Sequence, residues 1–176
     1  MAGLQYGIIG CGMMGQEHLR NIALLQDASV VAIYEPDAGM RALSAEAVPT
    51  AKMVASIEEL LAVEAVNCLL IASPNYLHLE QLEKIAGIRP LPVLVEKPLF
   101  TDPADAPRLA ALRAAYPAPI WVAMEYRYMP PVARMIEQAD EATGGIRSLT
   151  SREHRFPFLE KVGDWNRFNR NTGGTL

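Results

Sequence analysis

Tyr6-Gly7-Ile8-Ile9-Gly10-Cys11-Gly12-Met13-Met14-Gly15 decides the fold. A short apolar run ends at a glycine and gives way, from about Met13 to Gln26, to apolar residues at helical spacing, with Leu19, Ile22 and Ala23 on one face. The stretch therefore reads as strand, tight turn and helix, with three glycines at the junction. Gly10 permits the turn, Gly12 leaves the backbone bare to an approaching ligand, and Gly15 lets helix and strand pack closely. The helix N-terminus adds free N–H groups and a partial positive charge, which suit a pyrophosphate. The same spacing occurs in ordinary glycine-rich turns; its position between a strand and a helix favours the phosphate reading.

Outward from this unit the alternation repeats. Val30–Tyr34 is a second strand, halted by Glu35-Pro36, and Asp37–Ala47 a helix. Lys52–Ala55 is a weak strand, and Ser56-Ile57-Glu58-Glu59 has the capping-box pattern of a helix start. Val66–Ala72 is a nearly continuous apolar run, as expected of a strand covered on both faces. Asn75 opens a helix to about Ala86, Val93–Val95 is a strand, Asp102-Pro103 starts a helix to about Ala115, and Ile120–Met124 is a sixth strand. Such alternation implies a parallel sheet of right-handed βαβ units over residues 1–125. The texture then changes: a short helix from Pro130 to about Ala139, a turn at Gly144-Gly145 and a polar strand over 146–155 suggest the start of a second domain over 126–176.

Composition narrows the function. The 176 residues carry a formal net charge of −4 and are 51% hydrophobic, which supports a packed core and disfavours nucleic-acid binding by bulk charge. No apolar run approaches the roughly 18 residues that cross a bilayer, and no signal-peptide pattern opens the chain. Cys11 and Cys68 form no CxxC pair. A cytoplasmic setting without membrane, nucleic-acid or metal partners is the expectation.

Glu35 stands twenty residues after Gly15, at the end of the second strand. An acid there accepts hydrogen bonds from the adenosine ribose hydroxyls and repels a 2′-phosphate, so NAD is expected before NADP. A solvated acid is the alternative. Arg41, on the following helix, reads as a solvated residue that would soften the preference if turned inward. At the fifth strand, Glu96-Lys97-Pro98 places a charged pair at the edge where ligands bind in open α/β sheets.

Gly10 to Gly15, then Ala72-Ser73-Pro74-Asn75 with His78, then Glu96-Lys97-Pro98 together resemble the glucose–fructose oxidoreductase, inositol dehydrogenase and MocA-like family. Tyr126-Arg127-Tyr128, Gly145-Ile146, Trp165-Asn166-Arg167 and Gly173-Gly174-Thr175-Leu176 continue the resemblance, which covers essentially the whole chain. It implies a fold class of α/β, a Rossmann-type doubly wound parallel sheet, followed here by the truncated start of a C-terminal α/β domain.

It also implies an NAD(P)-dependent oxidoreductase that moves hydride between the nicotinamide and a sugar, polyol or related carbinol, homo-oligomeric at full length. Lys97 matches the active-site lysine, typically followed by a cis peptide to proline, with Glu96 orienting it. Gly10, Gly12, Met13, Met14, Gly15, Glu35, Ser73, Pro74, Asn75, His78 and Arg127 are the other implied cofactor contacts. The family's acid/base aspartate and histidine would follow Leu176, so this chain alone is expected to bind dinucleotide with little turnover. A non-catalytic dinucleotide-binding sensor or scaffold is the alternative.

The remaining side chains have plainer readings. His18 reads as solvated, His78 as a capping or packing residue before a catalyst, and Cys11 as a packed thiol. Met13 and Met14 also suit packing at a helix start. His154 would line the substrate side if it acts at all. Trp165 with Arg167 and Arg170 suits a lid or pocket loop better than a nucleic-acid surface.

Overall fold

A computed structural model describes residues 3–144, 148, 150, 152 and 169–173. Six parallel strands form one sheet: β1 (Leu4–Ile9), β2 (Ala28–Tyr34), β3 (Lys52–Val54), β4 (Cys68–Ile71), β5 (Val93–Glu96) and β6 (Ile120–Ala123). Their order is β3-β2-β1-β4-β5-β6, the doubly wound arrangement whose direction of winding reverses between β1 and β4. The register aligns the strand ends: Val54 lies opposite Tyr34, Tyr34 opposite Ile9, Ile9 opposite Ile71, Ile71 opposite Val95, and Val95 opposite Val122. Glu35, Gly10, Ala72 and Glu96 therefore occupy successive places along one edge of the sheet.

Alternation along the strands divides the core into two layers, because successive side chains leave opposite faces. Ile9, Ala32, Leu69, Ile71, Val93 and Val95 pack on one face under α3 (Ile57–Leu61), α4 (His78–Ile88) and α5 (Ala106–Ala115), which contribute Leu60, Leu82 and Leu112. Ile8, Ile33 and Leu70 pack on the other under Leu19 and Ile22 of α1 (Met13–Ile22). The helix starts follow their caps. Asp37 accepts from the Met40 N–H at the head of α2 (Ala38–Ala47), and Ser56 from the Glu59 N–H at the head of α3.

Four helices differ from the sequence expectation, among them α5, where Asp102-Pro103 opens a 3-10 turn (Pro103–Asp105) and the α-helix begins at Ala106. Helix α1 stops at Ile22 rather than near Gln26, and Leu24 beyond it is 81% exposed, since no neighbour covers another turn. Asn75 begins a 3-10 turn (Asn75–Leu77), and α4 itself begins at His78. Helix α6 (Pro130–Thr143) runs past Ala139, to Gly144 at φ 67°. The chain forms two compact units, Met1–Ala123 with Lys161–Leu176, and Met124–Glu160; α7 (Asn169–Thr172) belongs to the first. Gly145-Ile146, the strand expected over 146–155 apart from isolated positions, His154, Trp165-Asn166-Arg167 and Gly174-Thr175-Leu176 lie outside the described residues.

Arg89, just past α4, gathers the loop between α3 and β4. Its guanidinium donates to the carbonyls of Leu61, Val63, Glu64 and Val66 at 2.9–3.4 Å. A planar fork serves several oxygens at once, whereas an ammonium does not match that geometry. Arg89→Lys is expected to lower unfolding free energy by about 1–3 kcal/mol, read from urea denaturation, because hydrogen bonds of this kind contribute about 0.5–1.5 kcal/mol each.

Candidate functional site

The main chain is closely packed at the turn after β1. Gly10 has φ 87°, a left-handed conformation that glycine adopts without steric cost. A Cβ on Gly10 would lie 2.5 Å from the Ser73 nitrogen, and one on Gly15 would lie 2.4 Å from the Gly10 oxygen. Those contacts bring the start of α1 against β1, and the loop after β4 against both. Gly12 is the opposite case: a Cβ there would meet nothing within 4 Å. Gly12 is the N-cap of α1, and no side chain caps that end. A bare, open helix N-terminus of ten residues is the shape and charge that a diphosphate requires, so these residues fit the dinucleotide that the sequence implies. Met13 is 42% exposed beside this opening, while Met14 packs against the core layer under α1.

Glu35 is only 6% exposed, and both of its oxygens are engaged. Oε2 accepts from the Cys11 N–H at 2.5 Å and Oε1 from the Asp37 N–H at 2.8 Å. The side chain thus braces the glycine loop from β2, a structural task that the ribose expectation did not include. Each carboxylate oxygen has a second lone pair, so the brace does not exclude a ribose hydroxyl. Arg41 is not simply solvated: its Nη1 donates to the carbonyls of Glu35 and Pro36 at 3.1 and 3.4 Å. Gln16 completes the brace, donating to the Cys11 carbonyl at 3.1 Å and to Ser44 Oγ at 2.8 Å. Burial, with a smaller contribution from Glu35, pushes the Cys11 thiol up to about 11 against the lowering hydrogen bond of Ser44. The packed-thiol reading agrees with this environment.

The loop after β4 lies beside Gly10. Ser73 Oγ is 2.6 Å from Gln81 Oε1 and donates to it. Asn75 Nδ2 donates to the Thr172 carbonyl at 3.2 Å; Asn75 does not cap α4 because the 3-10 turn Asn75–Leu77 lies between it and His78. His78 is fully buried, with Nε2 2.9 Å from the Ser73 oxygen and Nδ1 2.7 Å from the Pro98 oxygen. The Lys97–Pro98 peptide is cis, as the family resemblance implied. Lys97 is exposed at the end of β5, and Glu96 beneath it is 7% exposed.

Glu96 meets His18, whose Nε2 is 2.8 Å from Glu96 Oε1. His18 is therefore not solvated: its side chain is 18% exposed and reaches across to β5. The signal was in the spacing, because Gly15, His18, Leu19 and Ile22 recur at i, i+3, i+4 and i+7, the inward stripe of α1. Burial pushes the Glu96 carboxyl up, but the His18 hydrogen bond and charge, together with Lys97, more than offset it and hold the group below its ordinary value. Arg127 lies on the 3-10 turn Glu125–Tyr128 of the second unit. Among the described residues no cluster of His, Cys, Asp or Glu is arranged to hold a metal, and no helix is long and apolar enough to cross a membrane.

The chain has relatives among known proteins. Residues 4–124 match the oxidoreductase family with an NAD-binding Rossmann fold, Gfo/Idh/MocA. An inositol 2-dehydrogenase of Corynebacterium glutamicum is 33% identical over 88% of this chain and 46% of its own length. Another, from Leifsonia xyli, is 39% identical over 66% of this chain and 34% of its own. The chain thus spans about a third to just under half the length of these relatives. The myo-inositol dehydrogenase of Lactobacillus casei, solved with NAD(H) and myo-inositol, superposes with a TM-score of 0.74 at 23% identity, over 81% of this chain and 43% of that one. A putative NADPH-dependent oxidoreductase of Desulfitobacterium hafniense has a TM-score of 0.73 at 21% identity, over 80% and 40%. At these identities the solved structures establish the fold.

The glycines separate fold from binding. Gly15→Ala is expected to destabilise the protein by about 1–3 kcal/mol through overpacking against backbone. Gly12→Ala should keep the wild-type melting temperature and lose dinucleotide affinity at least about tenfold, or about 1.4 kcal/mol, by calorimetry.

Acid stability tests the Glu96 environment. Its folded value lies below the ordinary 4.5, so the stability it contributes is present above 4.5 and is lost as pH falls through the folded value. Glu96→Gln should therefore flatten that part of the acid limb in urea titrations at stepped pH, and an unchanged slope would contradict the assignment.

Proposed function

The chain belongs to the oxidoreductase family with an NAD-binding Rossmann fold, Gfo/Idh/MocA, and from that premise we propose that it is the coenzyme-binding part of an NAD-linked dehydrogenase acting on a polyol of the inositol class. The observation that carries the reading is the convergence, on one sheet edge at the β1/β4 reversal, of the bare Gly12 cradle, the Glu35 carboxylate and the Glu96-Lys97-Pro98 turn. The inositol 2-dehydrogenases among its relatives support the substrate class.

In this reading the backbone N–H groups at the start of α1 hold the diphosphate, and Glu35 holds both the loop and the adenosine ribose. Its negative charge disfavours a 2′-phosphate, so NAD is the preferred coenzyme; Arg41, bonded to the Glu35 and Pro36 carbonyls, limits how strongly NADP is rejected. Ser73, Pro74, Asn75 and His78 frame the nicotinamide half. The bound nicotinamide supplies the hydride acceptor. Lys97 donates a hydrogen bond to the oxygen of the carbinol being oxidised and stabilises charge developing there. Glu96, held by His18, stays ionised next to it.

Calorimetric titration of the folded protein with NAD and NADP tests the coenzyme site. Saturable heats with NAD are expected, and Glu35→Ala should weaken NAD binding by at least about tenfold, since a charge-assisted hydrogen bond contributes about 1.5–3 kcal/mol. Flat traces with both coenzymes would refute the reading. In the protein competent for turnover with myo-inositol, Lys97→Ala should cut kcat by about 10²–10⁴-fold while leaving NAD affinity close to wild type, and a normal kcat would remove the lysine from the reaction.

A further inference from the structure

Two buried or half-buried histidines grip the Glu96-Lys97-Pro98 turn from opposite sides, and they do so from the two elements that would flank the coenzyme. His18 comes from α1, whose first turn includes Gly15 packed on Gly10, and its ring meets the Glu96 carboxylate at 2.8 Å. His78 comes from the start of α4, and its two ring nitrogens lie 2.9 Å from the Ser73 oxygen and 2.7 Å from the Pro98 oxygen. Lys97 stands between the two attachment points.

From this juxtaposition we infer that His18 is a positioning residue that ties the lysine turn to the phosphate-binding helix, with His78 holding the same turn to the nicotinamide loop, so that a diphosphate seated on α1 adjusts how Lys97 is presented.

Three features make the tether effective. The Glu96 side chain is 9% exposed and that of His18 18%, so water competes weakly for either partner. A hydrogen bond to a carboxylate is shorter and stronger than one between neutral groups. The tether also lacks slack. Helix α1 is pressed onto the turn after β1 by the Gly15–Gly10 contact, and Glu96 is the last residue of β5, which is paired on both sides. His78 acts differently, because both of its partners are backbone carbonyls: a neutral ring donates to one of them, and the imidazolium to both. Its ring lies between the loop after β4 and the turn after β5, with one nitrogen facing each.

The inference rests on the coenzyme reading, and its test separates the two. ADP has the diphosphate and adenosine but no nicotinamide, so any effect it has on Lys97 must pass through the protein. It is titrated into isotopically labelled protein while backbone resonances of residues 10–15 and 96–99 are followed. In the wild type, shifts at both segments are expected. His18→Ala should keep the response at 10–15 and lose it at 96–99. His18→Gln, whose amide nitrogen still donates to Glu96, should restore it, which general damage to α1 would not allow. Should His18→Ala fail to fold, Glu96→Ala breaks the same bond from the other side and should lose the same response. His78→Ala should speed amide exchange at Lys97 and Leu99. A wild-type response at 10–15 with none at 96–99, or an undiminished response in His18→Ala, overturns the tether alone. No response at 10–15 overturns the coenzyme reading, and the tether with it.

Discussion

The edge of this sheet depends on how closely three stretches of main chain approach one another. Gly15 lies against the Gly10 carbonyl, and Gly10 against the Ser73 nitrogen, at separations where even one methyl group would collide with backbone. That constraint fixes α1 relative to β1 and places the loop after β4 beside both. Every other feature of the site inherits the arrangement. Between the two close approaches, Gly12 faces open space. The Glu35 brace reaches Cys11 because β1 and β2 end in register.

Glu35 ties two stretches of main chain with one side chain. Its burial and its two backbone hydrogen bonds would be costly for an acid without partners, since an unpaired buried carboxylate loses its hydration. Paired with N–H groups, it anchors the glycine loop, and each oxygen keeps a second lone pair. Arg41 and Gln16 extend the bracing to α2 through carbonyls and Ser44. The glycine loop is thereby held from behind by Glu35 and Gln16, with Arg41 fixing the Glu35 carbonyl.

Much of this was legible in the residues. The six strands, their parallel winding and the glycine turn follow from short apolar runs alternating with helical spacing, because those periods are local. The family match over residues 4–124 supports the resemblance drawn from the ordered motifs. What the sequence did not disclose were partnerships across distant segments. His18 and Glu96 are 78 positions apart, and Asn75 and Thr172 are 97 apart. No spacing rule pairs them; the tertiary fold does. His18 was nonetheless traceable, since it falls on the inward stripe of α1, where a polar residue requires a partner. The end of α1 and the length of α6 were misjudged because helix termini depend on what neighbours cover, and propensity records that poorly.

Cys11 sits at the heart of the cradle with a thiol raised to about 11. At neutral pH the nucleophilic thiolate is on the order of one molecule in ten thousand at such a value. The cradle consequently carries sulfur that alkylating reagents and peroxide attack only slowly. Burial compounds this, because the Cys11 side chain is 0% exposed and a reagent in solution must first open the loop around it.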